Sequence, residues 1–237
     1  MTDIDMSAEK RWLDPKWRIL IAVMVGNFIV PLDASIVNTL LPSFTKFFHT
    51  KLSLVQWVPT VYLLTISCFI LLYGRLGDML GHKKIFITGL AGFTLASLLC
   101  GFSQNIWMLI AFRTIQGLAG GMVTAVGTAI VTAAFPQSQR GKALGIHLMC
   151  IAIGLTVGPT LGGIITHFIN WRWVFFINVP IGIFALIWGI HVIPLGHIKR
   201  GQRLDMSGGV IAIVFLFSLL LYANRGEDWG WLSPLPI

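Results

Sequence analysis

Long apolar runs separated by short polar connections make up most of this chain. A membrane-spanning helix needs about 20 consecutive apolar residues. Seven stretches are candidates, with boundaries near 18–40, 54–74, 84–103, 106–132, 143–167, 172–194 and 207–223. The runs are too long for strands and lack the alternation of a membrane β-barrel. The pattern therefore predicts an all-α, multi-span membrane protein.

The composition agrees with this fold class. The 237 residues are 56% hydrophobic and only 11% charged, against about 25% charged in soluble domains. The net charge of +8 does not indicate nucleic-acid binding, because the basic residues are scattered over short connections and form no patch. Cys68, Cys100 and Cys150 all lie inside apolar runs without a C-x-x-C motif, so we interpret them as small buried residues. We interpret the first apolar run as an uncleaved anchor.

The distribution of Lys and Arg predicts the orientation. Twelve lie in the N-terminal tail and in the second, fourth and sixth connections, and four lie on the opposite side. The positive-inside rule then predicts a cytoplasmic N-terminus. We expect the protein to lie in the cytoplasmic (inner) membrane. The predicted domains are a cytoplasmic tail (1–16), a six-helix unit (17–195), and a linker with a seventh helix and outer end (196–237). Several tryptophans near predicted span ends indicate aromatic belts: Trp12, Trp17, Trp107, Trp171 and Trp173.

The connection Gly74–Lys84, reading G-R-L-G-D-M-L-G-H-K-K, combines glycines and charges between two spans. We interpret it as a tight, positively charged turn, because glycines permit sharp turns and close backbone approach. A carboxylate at a membrane edge, here Asp78, is usually kept by a partner charge or a helix N-terminus. The alternative is an ordinary cytoplasmic loop.

Asp33 and Arg113 are the acid and the cation that lie well inside predicted spans. Both fall toward the outer halves of their helices, so the sequence predicts that they pair. A guanidinium favours the carboxylate whereas burial favours the protonated acid, and this competition makes a group that can take up or release a proton. Two alternatives stay open: the first helix ends before Asp33, or the pair is a static salt bridge.

Other polar residues suggest weaker sites. A substrate cavity is predicted from Asn38, Gln56, Trp57, Tyr62 and Gln116, although the aromatic members equally fit an interfacial belt. Gly154, Gly158 and Gly162 are four residues apart and form a ridge of small residues, which Pro159 would bend; ordinary close packing is the alternative. His167, His191 and His197 lie at span ends without metal-ligand spacing, whereas His147 is a candidate to face a cavity.

No Walker A sequence, dinucleotide-binding glycine motif or Ser/His/Asp constellation is present. The sequence therefore favours neither an ATP-driven pump nor an enzyme, and we expect no cofactor and no metal site.

Five segments together resemble the major facilitator superfamily, specifically its fourteen-helix drug:proton antiporter branch. Gly74–Lys84 is similar to the loop 2–3 signature, and Leu32–Pro42 (L-D-A-S-I-V-N-T-L-L-P) to the helix 1 motif. Arg113, Gln116 and Gly117 match the helix 4 motif. Gly154–Gly163 resembles the helix 5 antiporter motif, and Trp171–Gly182 (W-R-W-V-F-F-I-N-V-P-I-G) the entrance of helix 6. The resemblance covers about residues 15–223.

The resemblance implies the N-terminal half of a transporter: a six-helix bundle of inverted three-helix repeats, followed by a linker helix. It implies that Asp33 and Arg113 handle the proton and that the loop glycines and charges latch the inner gate (Gly74, Arg75, Gly77, Asp78, Gly81, Lys83, Lys84). The glycines and proline of helix 5 would shape the antiporter helix (Gly154, Gly158, Pro159, Gly162, Gly163). Met79 departs from the arginine usual after the loop acid, which weakens the implied latch.

The implied function is proton-coupled efflux of hydrophobic or cationic small molecules, such as drugs, by alternating access across the membrane. The alternatives are a carrier for a single metabolite and a truncated, transport-incompetent membrane protein that acts through partner chains. Expected partners are the substrate, protons and lipid, with no nucleic acid. A missing C-terminal half or a second chain would be needed for transport, and a periplasmic adaptor stays open as a further partner.

Overall fold

A computed structural model of the chain describes residues 14–196 and 206–229, and the regular structure within these ranges is α-helical. The helices are α1 (Pro15–Asn38), α2 (Leu41–Phe48), α3 (Leu52–Val55), α4 (Trp57–Leu80), α5 (His82–Gly101), α6 (Ile106–Ala134), α7 (Gln137–Phe168), α8 (Trp173–Phe176), α9 (Asn178–Val192) and α10 (Met206–Trp229). Six described segments are long and apolar enough to cross a membrane, with α3–α4 and α8–α9 each forming one of them. The all-α, multi-span fold class is therefore confirmed.

The seventh predicted helix corresponds to α10, which packs against α4. Its shorter apolar part is Gly208–Leu219. The N-terminal tail with Trp12, and the linker residues around His197, lie outside the described residues.

Helix α1 begins three residues earlier than predicted because Asp14 and Pro15 form a favourable helix start. The Asp14 carboxylate accepts a hydrogen bond from the backbone N–H of Lys16 at 3.3 Å, and Pro15 needs no partner for its nitrogen at the first helical position. The Lys16 side chain lies 2.9 Å from the same carboxylate, and this hydrogen bond lowers the pKa of Asp14 below its usual value.

Helix α1 is the central element of the bundle, contacting α6, α7 and α9. One apolar cluster lies toward the end where α1 begins, around Val23, Phe86 and Val123; a second lies toward the other end, around Ile36 and Leu109. Since α1 continues through Pro31 to Asn38, the alternative that it ends before Asp33 is wrong.

The stretch Gly74–Lys84 is mostly helical, so the prediction of a turn across all of it is wrong. Helix α4 continues to Leu80 and α5 begins at His82, which leaves Gly81, at φ 96°, as the turn. Leu76, within the helical part of this stretch, packs against the core. A Cβ on Gly77 would lie 2.7 Å from Val126, so Gly77 allows α4 to approach α6, whereas Gly74 faces open space.

The aromatic residues after α7 do not all form an interfacial belt. Trp107 and Trp173 are exposed, but Trp171 is buried, with its ring centroid 5.2 Å from that of Phe44 on α2. The Arg172 guanidinium lies 4.4 Å from the centroid of the Trp171 ring and donates a 2.7 Å hydrogen bond to the Ser103 carbonyl. The assignment of Trp171 to a belt is therefore wrong, because α2 folds over its ring.

Candidate functional site

Asp33 of α1 and Arg113 of α6 form an ion pair between Oδ2 and Nη1 inside the bundle. Both side chains are fully buried. The two helices run side by side, and the apolar residues around the charges exclude water from this level. The structure thus brings together the acid and the cation that the sequence places at similar depths. Two charges held in an apolar interior are tolerated only when paired and hydrogen-bonded.

Gln116, one turn after Arg113 on α6, connects both members of the pair. Its Oε1 accepts from Arg113 Nη1 at 2.7 Å, and its Nε2 donates to Asp33 Oδ1 at 3.2 Å. The same Nε2 lies 2.5 Å from the Ser97 hydroxyl, and the Cys100 thiol lies 3.6 Å from Oε1. Both ends of this amide are therefore engaged, which fixes its orientation.

Two site residues were missed by the sequence reasoning, Asn178 and Ser97. Asn178, the first residue of α9, donates from Nδ2 to Asp33 Oδ1 at 2.8 Å and lies 3.4 Å from the Ser97 hydroxyl on α5. Both side chains are fully buried. A lone amide in the apolar run after Trp171 was the available signal for Asn178. Ser97 gave no signal, because serine is common in membrane helices and can bond its own backbone.

Tyr62 of α4 covers the guanidinium. The Arg113 Cζ lies 3.9 Å from the centroid of the Tyr62 ring and 5.8 Å from that of Phe175, within the range of a cation–π contact. The Tyr62 hydroxyl donates a 2.9 Å hydrogen bond to the carbonyl of Val30, the residue before Pro31 in α1. Tyr62 thus ties α4 to α1 beside the ion pair.

Two buried polar atoms in this site have no hydrogen-bond partner among the described residues: Nη2 of Arg113 and Oδ1 of Asn178. The ion pair accounts for one edge of the guanidinium, and Nε makes a long contact of 3.5 Å with the Val58 carbonyl. The site therefore has one donor, Arg113 Nη2, and one acceptor, Asn178 Oδ1, that are not used in hydrogen bonds between described residues near the carboxylate. Such an arrangement can accommodate a change in proton position.

The structure brings together only part of the predicted substrate cavity. Tyr62 and Gln116 lie at the ion pair, whereas Asn38 and Gln56 are exposed and Trp57 is half-buried. A cavity of about 410 Å³ instead opens near the start of α1, where the lining includes Ile19, Lys83 and Ile130, and none of the five predicted cavity residues lines it.

The predicted gate residues lie around the α4–α5 turn at the end of the bundle where α1 begins. Asp78 and His82, one turn apart, lie 3.6 Å apart between carboxylate and ring nitrogen. Lys83 donates to the Ile190 carbonyl at 2.7 Å, near the end of α9, where a cation is favourable for the helix dipole. Lys84 is exposed on α5, and Arg75 is exposed on α4.

Three of the predicted glycines of α7 pack directly on α1. A Cβ on Gly154 would lie 3.0 Å from the Phe28 carbonyl, and one on Gly158 or Gly162 would overlap the hydroxyl of Ser35 or Thr39. The Ser35 hydroxyl donates to the Gly154 carbonyl at 3.2 Å across this contact. By contrast, Gly163 faces open space and Pro159 is exposed within a continuous helix, so neither belongs to this ridge.

The remaining titratable residues do not build a second site of known chemistry. His167 and His191 are exposed near helix ends, as expected. His147 is buried on α7, with Nδ1 lacking a hydrogen-bond partner in the described part of the chain. Across the described ranges, no group of His, Cys, Asp and Glu has the arrangement of a metal site, and the three cysteines are free.

Comparison with known proteins gives consistent matches. The family profile described as Major Facilitator Superfamily matches residues 23–232. The chain is 39% identical over 208 residues to the riboflavin transporter RibZ of Clostridioides difficile (strain 630), covering 88% of this chain and 46% of that protein. It is 33% identical over 216 residues to the tetracenomycin C resistance and export protein of Streptomyces glaucescens, covering 91% and 40%.

The fold is also similar to a solved structure, the peptide transporter POT in complex with sulfate. The TM-score is 0.69 at 13% sequence identity, covering 91% of this chain and 47% of that one. At this identity the likeness concerns the fold alone. The chain spans less than half the length of each of these three proteins.

Proposed function

The chain belongs to the Major Facilitator Superfamily, and on that premise we propose that it forms the N-terminal half of a proton-coupled exporter of hydrophobic or cationic small molecules. Transport proceeds by alternating access: the two halves rock about a central site and expose it to one side of the membrane at a time. The proton binds Asp33 and drives the exchange.

The observation that carries this proposal is the fully buried Asp33–Arg113 pair with its two amide partners, Gln116 and Asn178. An ion pair deep in an apolar bundle contributes little net stability, because desolvation offsets the attraction. Ionisable groups inside membrane segments are typical of proton relays and substrate paths. Protonation of Asp33 would neutralise it and release Arg113, so the same site can exist in two charge states.

The proposed substrate class and direction of transport are based on a similar protein. The protein from Streptomyces glaucescens is named for resistance to and export of tetracenomycin C, and this supports outward transport of a drug-like compound. We propose that Tyr62 and Gln116 lie at the edge of the substrate path, and that Asn38, Gln56 and Trp57 border its opening.

Two further roles are proposed from the positions of Gly74–Lys84 and of the glycine ridge on α7. We propose that the Asp78 region, from Gly74 to Lys84, latches the gate at the cytoplasmic face, since it lies at the turn between α4 and α5. The glycine ridge of α7 then provides the close contact on α1 that the bundle keeps during rocking. The positive-inside rule supports a cytoplasmic N-terminus, and we propose the inner membrane as the location.

A complete transporter needs a second half, from the same longer chain or from a second one. The intact mass of the protein purified from its native membrane separates these cases. A mass well above 26.2 kDa, the mass of these 237 residues, means that the natural chain continues. A mass near 26.2 kDa would mean that transport needs a dimer or a partner chain. It would also be compatible with a membrane protein that does not itself transport.

Efflux into everted vesicles tests the role of Asp33. Vesicles from cells that produce the protein are energised to make their interior acidic, and accumulation of a lipophilic cationic dye is followed. Asp33→Asn should abolish proton-dependent accumulation. Asp14→Asn is the matched control, because it removes a partly exposed carboxylate and keeps a good helix cap. Proton-dependent efflux retained in Asp33→Asn would rule out the proposed role of Asp33.

A second candidate function is transport of a single metabolite, favoured by the 39% identity to a protein named as a riboflavin transporter. In the same vesicles, a single-metabolite carrier would move a flavin and leave structurally unrelated cations behind. Movement of several unrelated cations, with no preference for flavin, would favour the exporter.

A further inference from the structure

The hydrogen bonds around Asp33 suit only its ionised form. Oδ1 accepts from Asn178 Nδ2 at 2.8 Å and from Gln116 Nε2 at 3.2 Å, and Oδ2 is paired with Arg113. Every one of these partners is a donor. A protonated Asp33 carries an O–H of its own and needs an acceptor, and a buried donor left without one is unfavourable. If Asp33 takes up a proton, as the proposed function requires, some neighbour has to accept a hydrogen bond.

Most acceptors near the carboxylate are already occupied. The Oε1 atom of Gln116 accepts from Arg113 Nη1 at 2.7 Å, and the Ser97 hydroxyl lies within reach of both site amides, at 2.5 and 3.4 Å. The Oδ1 atom of Asn178, in contrast, is buried and has no partner among the described residues. It belongs to the same amide that already donates to Asp33.

We propose that Asn178 is a positioning residue for proton uptake at Asp33: its amide donates from Nδ2 to the ionised carboxylate and, after a half-turn, accepts at Oδ1 from the protonated carboxyl. This inference rests on the proposed proton-carrying role of Asp33. The step is a plain proton transfer. A proton leaves hydronium and forms an O–H bond on Asp33, the hydrogen bond from Asn178 Nδ2 breaks, and the new O–H donates to Oδ1. Release to water reverses each change.

The geometry of the amide permits this rotation. The terminal torsion of asparagine joins an sp³ to an sp² carbon and is broad and roughly two-fold, so exchanging Oδ1 and Nδ2 keeps the planar outline. Gln116 cannot do the same, because both of its ends are held.

The backbone of Asn178 is held in place while its side chain turns. Asn178 begins α9, and one turn later a Cβ on Gly182 would overlap the Thr94 hydroxyl of α5. This close packing fixes the start of α9 against α5. The Asn178 amide can therefore respond to the protonation state of Asp33 by side-chain rotation alone, without a backbone movement.

Infrared difference spectroscopy on the 237-residue protein in lipid nanodiscs tests the proposal. Spectra are recorded across a pH titration with isotope-labelled asparagine side-chain carbonyls. The expected result is a shift of one asparagine carbonyl band in step with the protonated-carboxyl band of Asp33. The shift should be lost in Asn178→Thr and in Asp33→Asn, and kept in Asn170→Thr, the same change at an exposed asparagine.

The possible failures are distinguishable. A protonated-carboxyl band that titrates and disappears in Asp33→Asn, without any change at the asparagine carbonyl, overturns the role of Asn178 and leaves the proposed function intact. Absence of a titrating carboxyl band from Asp33 overturns both. The unmodified protein and Asp33→Asn suffice for either of these overturning results, so the proposal can be refuted even when Asn178→Thr does not fold.

Discussion

Replacing Gly158 with alanine introduces a methyl group at a close contact between α1 and α7. An ideal Cβ there would overlap the Ser35 hydroxyl and lie 2.9 Å from Ser35 Cβ and 3.0 Å from the Ile36 nitrogen. Five residues later on the same helix, a Cβ on Gly163 meets nothing within 4 Å. The two substitutions are chemically identical, so Gly163→Ala is a matched control for Gly158→Ala.

The comparison isolates the energy of the steric overlap. Alanine in place of glycine favours a helix by about 1 kcal/mol, and this gain is common to both variants. Overpacking of a tight contact costs about 1–3 kcal/mol. We therefore expect Gly158→Ala to be less stable than Gly163→Ala by about 1–3 kcal/mol. Ser35 cannot turn away freely, since its hydroxyl donates to the Leu32 and Gly154 carbonyls at 3.0 and 3.2 Å.

Equilibrium unfolding in mixed micelles, followed by the loss of helical circular dichroism, measures the difference in the free energy of unfolding. Adding Ser35→Ala to Gly158→Ala should restore part of the lost stability, because it removes the hydroxyl and leaves the contacts of Ser35 Cβ and the Ile36 nitrogen. Equal stability of Gly158→Ala and Gly163→Ala would refute the close packing on which this reasoning depends.

Three further predictions use the same unfolding assay. Asp33→Asn and Arg113→Gln should each lower the free energy of unfolding by roughly 3–5 kcal/mol by leaving a buried charge unpaired, and the double variant should lose clearly less than the sum; strict additivity would contradict a direct pair. Gly81→Ala should cost about 1–3 kcal/mol because φ is 96°, whereas Gly74→Ala, in open helix, should not destabilise; similar losses would argue against the turn at Gly81. Arg172→Met should cost roughly 1.5–3 kcal/mol through its lost charged hydrogen bond to a buried backbone carbonyl, and an unchanged stability would show that this bond contributes nothing.

The membrane spans and the ion pair could be predicted because each depends on a property that the sequence displays directly. An apolar run of sufficient length has few alternatives to a spanning helix. Asp33 and Arg113 were recognisable because an isolated charge in such a run needs a partner, and the spans place both at similar depths. Asn178 and Ser97 were not recognisable, because small polar side chains in membrane helices can satisfy themselves on the local backbone.

The glycines show a second limit of sequence reasoning. The four-residue spacing of Gly154, Gly158 and Gly162 defines one face of α7, and that face does meet α1. Gly163 is about 100° away from this face around the helix. Its place in the same sequence motif therefore did not show whether it packs against α1. In Gly74–Lys84 the spacing of glycines could not show that only Gly81 has a positive φ, since the packing of neighbouring residues such as Leu76 on the core is a tertiary property.

The two clusters of close contacts on α1 respond differently to a proton. Asp33 and Ser35 are two residues apart, which is about 200° around a helix and about 3 Å along it, so they face opposite sides of α1. The Asp33 side is held to α6 and α9 by charge and amide hydrogen bonds, and protonation alters these directly. The Ser35 side is held to α7 by glycine packing and a hydroxyl bond to a backbone carbonyl, which carry no titrating group. Under the proposed function, uptake of a proton therefore loosens α1 from α6 and leaves its contact with α7 unchanged, so that α1 and α7 would move as one unit.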